Sequence, residues 1–339
     1  MPFQGKEGCL VPDLFTPFEV KGLRLKNRIV MPPMANYLCS EDGTVTEALR
    51  DHYARRAGKG VALVIVEHSY VLPSGRAHKK QLGIHDDAVI PGLSALVEAV
   101  HALGAAIGIQ ITHAGSNTGS DVLEEVPLAP SAVPHPVKEG AETPRELGRG
   151  DLAAIRDAFA AAAERAVKAG FDAVEVHGAH GYLLNQFFSP LTNRRSDEYG
   201  GSLERRTLFP REVIAAVRSV LGPDRCLFYR FGADDQLPGG VTTDDARKAA
   251  PLLKEAGVDV LDLSGGMCGA RKSGEGFFLY LAEAVKPSAG VPVMITGGLG
   301  DPRLADRVIR EGVADLVGIG RALLADPDWA VKAAAALGR

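Results

Sequence analysis

Short runs of β-branched and aliphatic residues punctuate the chain, and between them apolar positions recur every three or four residues, as on one face of a helix. Eight runs predict strands, over 28–31, 61–67, 106–111, 173–177, 226–231, 260–264, 293–296 and 316–319. The amphipathic stretches 91–103, 151–169, 203–221, 243–256 and 303–311 predict helices, several opened by Ser, Thr or Asp and closed by Gly. "AVHALGAAIGIQI", "AVKAGFDAVEVH", "LKEAGVDVLDLS" and "IREGVADLVGIG" share one order: helix, glycine, apolar strand. Serial βα units of this kind favour an α/β fold, a (β/α)8 TIM barrel forming one domain over residues 1–339, with a doubly wound sheet as the alternative. Two connections are too long for plain βα loops, 114–149 after the third strand and 178–202 after the fourth. Loops of that length are usually lids, binding loops or small added hairpins, and in a barrel both fall at the C-terminal ends of strands, where active sites are built.

Composition narrows the partners. With 339 residues, 46% hydrophobic and 24% charged, the chain can bury a large core. A formal net charge of −4 and the lack of a dense Lys/Arg block argue against nucleic acid and anionic membrane as partners. Cys9, Cys39, Cys226 and Cys268 are far apart, with no C-x-x-C pair and no Cys/His grouping at zinc spacing, so neither a metal site nor a disulfide framework is expected. No apolar h-region opens the chain and no apolar run approaches the roughly 20 residues of a membrane span, so a cytoplasmic protein is expected.

The strand ends carry the candidate chemistry. Alternation in the fourth strand puts His177 with Glu175 and opposite Val174 and Val176, so if the valines face the helices His177 points into the barrel mouth. His180 and Tyr182 follow in a turn flexed by glycines. Two imidazole donors can bind a carbonyl or anionic oxygen, and a phenol with an ordinary pKa near ~10 can deliver a proton at neutral pH. Histidines satisfied by local backbone and zinc ligation are the alternatives, the second without a helical H-E-x-x-H pattern or an evident third ligand. Arg230 interrupts the apolar fifth strand and requires an anionic partner, for which Glu175 or another barrel carboxylate is a candidate. Glycines end the seventh and eighth strands in "MITGGLG" and "VGIGRALL", where backbone N–H groups can cradle a phosphate. His113, Asn193, Arg195, Ser202, Arg205 and Arg206 read as structural.

The segment "HGAHGYLLNQFFSPLTNRRSDEYGGSLERR" closely resembles the signature of the old yellow enzyme family of FMN-dependent ene-reductases, particularly bacterial branches near 2,4-dienoyl-CoA reductase and the thermophilic-like members. The likeness runs from "LFTPFEVKGLRLKNRIVMPPMA" to "DLVGIGRALLADPDWA" and so covers almost the whole chain. The resemblance implies FMN as cofactor, NADPH or NADH as reductant, and hydride delivery from the flavin to the C=C bond of an activated alkene: an enone, enal, maleimide or enoyl thioester. It implies that His177 and His180 hold the substrate carbonyl, that Tyr182 protonates the α-carbon, and that Tyr37 lines the substrate pocket. Pro33, Met34 and Ala35 would lie against the flavin, Ala35 standing where relatives often carry Cys or Thr. Gln110 would bond the pyrimidine edge and Arg230 the N1 and O2 side. Gly297, Gly298, Gly320 and Arg321 would bind the FMN phosphate. His68 replaces a small residue usual in close relatives and is a flavin-side candidate.

Larger relatives carry a C-terminal cysteine cluster and further domains. The chain ends at Arg339, so no iron–sulfur relay and no tail inserted into a neighbouring subunit are expected. A flavin-dependent demethylase or dehydrogenase, a phosphate-binding aldolase or isomerase barrel, and a non-catalytic flavin module stay open as other readings. So do homo-oligomeric assembly and the choice between the nicotinamides.

Overall fold

The computed structural model describes residues 11–267 and 273–339; Cys9 and Cys268 lie outside them. Eight parallel strands form a closed barrel: β1 (Ile29–Met31), β2 (Leu63–Tyr70), β3 (Ala106–Thr112), β4 (Ala173–Gly178), β5 (Cys226–Gly232), β6 (Val260–Ser264), β7 (Val293–Thr296) and β8 (Leu316–Gly318). Each pairs with its sequence neighbours, and β8 closes onto β1 through Val317 opposite Ile29. This is the (β/α)8 architecture predicted from the periodicity, with every strand near its expected place.

Helices α1 (Glu47–Ala57), α2 (Ile90–His101), α3 (Arg149–Ala169), α4 (Leu208–Leu221), α5 (Thr243–Glu255), α6 (Leu279–Ala289) and α7 (Pro302–Arg310) surround the barrel. The expected helix 203–221 is broken at Thr207, which separates the short turn Leu203–Arg206 from α4. Helices α1 and α6 were not among those predicted; α1 has a polar mean composition and α6 contains Pro287, both of which blur the apolar stripe.

Alternation sorts the strands into two cores. Ile107, Ile109, Val174, Val176, Leu227, Tyr229, Leu261 and Leu263 face the helices. Leu63, Ile65, Phe228, Val260, Met294 and Leu316 fill the interior together with Leu23 and Leu25 of the N-terminal hairpin (Phe18–Val20 with Leu23–Leu25). The apolar filling gives way toward the strands' C-terminal ends to Gln110, Glu175, His177, Arg230, Asp262 and Thr296, all buried. Polar groups concentrated there are the mark of a site, since the interior layers below need only pack.

The two long loops are tied to each other. The loop after β3 contains a two-residue parallel ladder, Leu128–Ala129 with Arg145–Glu146, rather than a hairpin. The loop after β4 contains the helix Leu183–Phe188. Arg195 of the second loop donates to the carbonyls of Pro130 and Leu147 in the first, at 2.9 and 2.7 Å, and forks onto Asp197. Asn193 donates to Phe187 and Tyr199 carbonyls. These are the structural roles expected of Asn193 and Arg195.

Candidate active site

A cavity of about 770 Å3 opens at the C-terminal ends of the strands, within the roughly 300–1,000 Å3 usual for cofactor and small-molecule sites. Its wall contains Pro33, Met34, Ala35, His68, Gln110, His177, His180, Tyr182, Arg230, Gly297, Gly298, Gly320 and Arg321. Tyr37 is placed apart: it is 58% exposed, adopts a φ of +60°, and packs its ring on His78 at 4.5 Å. His113 is buried away from the cavity, its Nδ1 accepting from Gly115 N–H at 3.1 Å.

The segment after β4 is bent as its sequence suggests, though not by glycine alone. His180 itself adopts a φ of +61°, followed by Gly181 at +70°. A left-handed non-glycine residue costs on the order of 1 kcal/mol, and the surroundings hold it there. Gly181 N–H donates to Asn185 Oδ1 at 2.7 Å, Gln186 donates to the Gly181 carbonyl at 2.6 Å, and His180 forms a parallel bridge with Met267. A side chain at Gly181 would strike His135 Nε2 at 2.3 Å.

The turn brings three rings together. His177 and His180 lie 5.2 Å apart at 80°, and His177 and Tyr182 lie 4.7 Å apart. His177 Nδ1 accepts from the Ala179 N–H at 3.4 Å, which leaves the proton on Nε2. His180 Nε2 meets the Ser264 hydroxyl at 2.7 Å. Burial first, with neighbouring imidazoles and Arg230 adding to it, holds both histidines well below the usual imidazole range. Both are therefore neutral, each with one N–H to offer.

Arg230 finds its anion in Asp262, opposite it on β6, rather than in Glu175. Its Nη2 also donates to Thr296 Oγ1 at 3.1 Å, while its Nε is buried without a partner among the described residues. Glu175 instead accepts from Gln110 Nε2 at 2.7 Å. Burial and then the Asp262 charge push the Glu175 carboxyl well up, so it stays protonated; burial raises Asp262 to about 6 against the pull of Arg230. Asp262, Ser264 and Thr296 escaped the sequence reading. The signal for the first was available: an acid in the middle of "VLDLS", on the inward face of its strand, mirrors the arginine in "CLFYRFG".

At the other side of the cavity Gly297 and Gly298 have φ values of +107° and +72°. A Cβ at Gly298 would fall 2.3 Å from the Gly274 carbonyl oxygen and 2.6 Å from the Gly276 nitrogen, and one at Gly320 would fall 3.0 Å from Met34 Sδ. Only glycine leaves this backbone bare. Arg321 sits beside it, its guanidinium 5.4 Å from the Phe277 ring. A bare glycine cradle with a cation at one end and an unpartnered guanidinium N–H at the other fits a group with a phosphate and a heteroaromatic acceptor edge, as FMN has. Among the described residues no group of three or more His, Cys, Asp or Glu side chains is arranged to hold a metal ion, and no helix is long and apolar enough to cross a membrane.

The model of the NADH:flavin oxidoreductase / NADH oxidase family matches residues 13–338. An NADPH dehydrogenase of Geobacillus thermodenitrificans is 46% identical over 328 residues, covering 96% of this chain and 94% of that protein. An NADH oxidase of Thermoanaerobacter brockii is 43% identical over 331 residues, covering 95% of this chain and 50% of that longer protein. Among solved structures, morphinone reductase superposes with a TM-score of 0.85 at 31% identity, covering 97% of this chain and 90% of that one.

Proposed function

The chain belongs to the NADH:flavin oxidoreductase / NADH oxidase family, the old yellow enzymes, and on that premise we propose that it is an NAD(P)H-dependent, FMN-containing ene-reductase acting on carbonyl-activated alkenes. FMN, when bound, supplies the hydride it has received from NADPH or NADH. Gln110 and Arg230 hold the polar edge of the ring; Gly297, Gly298, Gly320 and Arg321 hold its phosphate; Pro33, Met34 and Ala35 flank it.

The observation that carries the reading is the convergence of two imidazoles, held below the usual imidazole range by burial, and a phenol on one side of the cavity. His177 donates from Nε2 to the substrate carbonyl. His180, with the Ser264 hydroxyl donating to its Nε2, donates from Nδ1 to the same oxygen. Two N–H donors stabilise the negative charge that grows on that oxygen as the β-carbon is reduced, without themselves carrying charge that would grip carboxylates indiscriminately. Tyr182 then protonates the α-carbon. Tyr37, exposed and outside the cavity wall, takes no part in holding the substrate. The names borne by the relatives, NADPH dehydrogenase and NADH oxidase, support reduction by a nicotinamide. A cytoplasmic location fits this reductant.

The deciding experiment is anaerobic reduction of the purified yellow protein by NADH and NADPH in turn, followed by reoxidation with cyclohexenone, a maleimide and an enoyl-CoA. Bleaching by a nicotinamide and recovery with an alkene, together with a reduced C=C product, is the expected result. A colourless protein that takes up no FMN points to an aldolase or isomerase barrel. Bleaching by a nicotinamide without reoxidation by any alkene overturns the alkene as acceptor; bleaching by an amine donor but by neither nicotinamide points to a demethylase or dehydrogenase, and no bleaching at all to a flavin module without catalysis.

A further inference from the structure

The geometry points to His68 as a third hydrogen-bond donor of the substrate cavity, one that selects alkenes carrying a second neutral carbonyl across the double bond from the one held by His177 and His180. The inference rests on the ene-reductase reading and extends it to a substrate class, the neutral 1,4-dicarbonyl alkenes such as maleimides and fumarate diesters.

His68 reaches the cavity through an irregularity in its strand. Leu63 and Ile65 point into the barrel, so simple alternation would send Glu67 inward and His68 outward. The register between β2 and β3 shifts between Val66 and Ser69. With that bulge, Glu67 turns to the Asn36 N–H and the Cys39 thiol in the loop after β1, at 2.7 and 3.2 Å, and His68 lines the cavity. Bulges next to sites commonly re-aim a side chain in this way.

The tautomer of His68 is fixed by the backbone. Ala77 N–H donates to Gln81 Oε1 at 2.6 Å, which commits that oxygen as acceptor and the other end of the amide as donor. Gln81 Nε2 donates to His68 Nδ1 at 2.8 Å and to the His68 carbonyl at 2.9 Å. Nδ1 is thus an acceptor, and the proton of the neutral ring sits on Nε2. Burial, and then His78, push the His68 pKa down to about 3, so the ring stays neutral at every working pH. The hydrogen bonds of His68 among the described residues run through Nδ1 and its carbonyl, and its ring lines the cavity.

The ring stands with the catalytic trio: 5.3 Å from Tyr182 and 6.3 Å from His177, centre to centre. Two imidazoles in neighbouring positions of the same cavity wall can each offer an N–H to one of two oxygens at either end of a short conjugated unit. Nε2 opens into the cavity, so a substrate that covers it without offering an acceptor strips its water at a cost, and one that supplies a second carbonyl is favoured over a mono-carbonyl alkene of similar size. The uncharged donor does not compensate the cost of taking a carboxylate out of water, so an imide or ester carbonyl suits the site better.

Two variants separate the donor from the shape of the ring. His68→Phe keeps an aromatic ring between Tyr182 and His78 and removes the donor. Gln81→Glu presents an acceptor to Nδ1, drawing the proton there and converting Nε2 to an acceptor. With FMN-loaded protein, the dissociation constant of succinimide, read from the perturbed flavin absorbance, is expected to rise about tenfold in both variants relative to that of phenol. The ratio of kcat/KM for N-methylmaleimide to that for cyclohexenone is expected to fall by a similar factor. A wild-type enzyme that reduces both alkenes, with the two ratios unmoved in either variant, overturns the role of His68 alone. A holoprotein that reduces neither alkene overturns the ene-reductase reading, while the succinimide-to-phenol ratio still reports on the donor.

Discussion

Arg230 and Asp262 face each other across neighbouring strands, both buried, in an ion pair at the wall of the cavity. Removing one partner of such a pair leaves an uncompensated buried charge, which costs roughly 3–5 kcal/mol. Asp262→Leu is therefore expected to lose about that much stability in denaturant unfolding of the apoprotein. Asp262→Asn, which keeps the hydrogen-bonding oxygen, should lose less. A loss below about 1 kcal/mol for the leucine variant would mean that Arg230 is neutralised by something else.

His177→Ala removes one of the two donors proposed for the substrate oxygen and leaves the glycine cradle intact. Phenol affinity is expected to fall by about tenfold to a hundredfold, the loss of one hydrogen bond to a charged oxygen, with FMN still bound. Titration of flavin absorbance with a phenol, and the flavin-to-protein ratio after gel filtration, check both halves; loss of FMN instead would place His177 with the cofactor.

Tyr182→Phe should divide the catalytic cycle. Reduction by the nicotinamide needs no proton from the phenol and is expected to change little, whereas reoxidation by an enone should slow by roughly 10²–10⁴-fold. Anaerobic stopped-flow measurement of the two halves decides it, and equal slowing of both would remove Tyr182 from the proton-transfer step.

Gly298→Ala places a methyl group against the Gly274 carbonyl and the Gly276 nitrogen at a left-handed position. Neither neighbour is a flexible side chain, so the cradle must distort. FMN retention on ultrafiltration is expected to fall at least about tenfold, since 1.4 kcal/mol suffices for that factor and a left-handed alanine alone approaches it.

Glu67 supplies a pH signature. Burial raises its carboxyl from 4.5 to about 7, against bonds from Asn36 and Cys39 that lower it. A carboxyl raised in the folded state holds its proton where the unfolded chain has lost it, so its favourable contribution is complete below pH 4.5 and disappears as pH climbs to about 7. The difference is on the order of 3 kcal/mol. Unfolding of Glu67→Gln across pH 4–8 should show the variant gaining on the wild type over that window; parallel curves would mean that Glu67 ionises normally.

The barrel was legible in the sequence because its causes are local. Alternation within each strand and the three-to-four residue rhythm of the helices are set by which face each residue buries, and both survive in one dimension. The same alternation put His177 on an inward face at a strand end, Arg230 stood out as a charge inside an apolar strand, and the glycines of "ITGGLG" announced a bare backbone. What the sequence could not carry depends on neighbours from distant segments. Asp262, rather than Glu175, answers Arg230 because strand registry sets them side by side, and registry is a property of the closed barrel. His68 faces the cavity because a bulge in β2 reverses the expected parity, and His180 accepts a left-handed backbone because Asn185, Gln186 and Met267 hold the turn around it. Local pattern determined which strands form and which side of each is wet; the fit of those strands to one another decided which charges pair and which imidazoles meet.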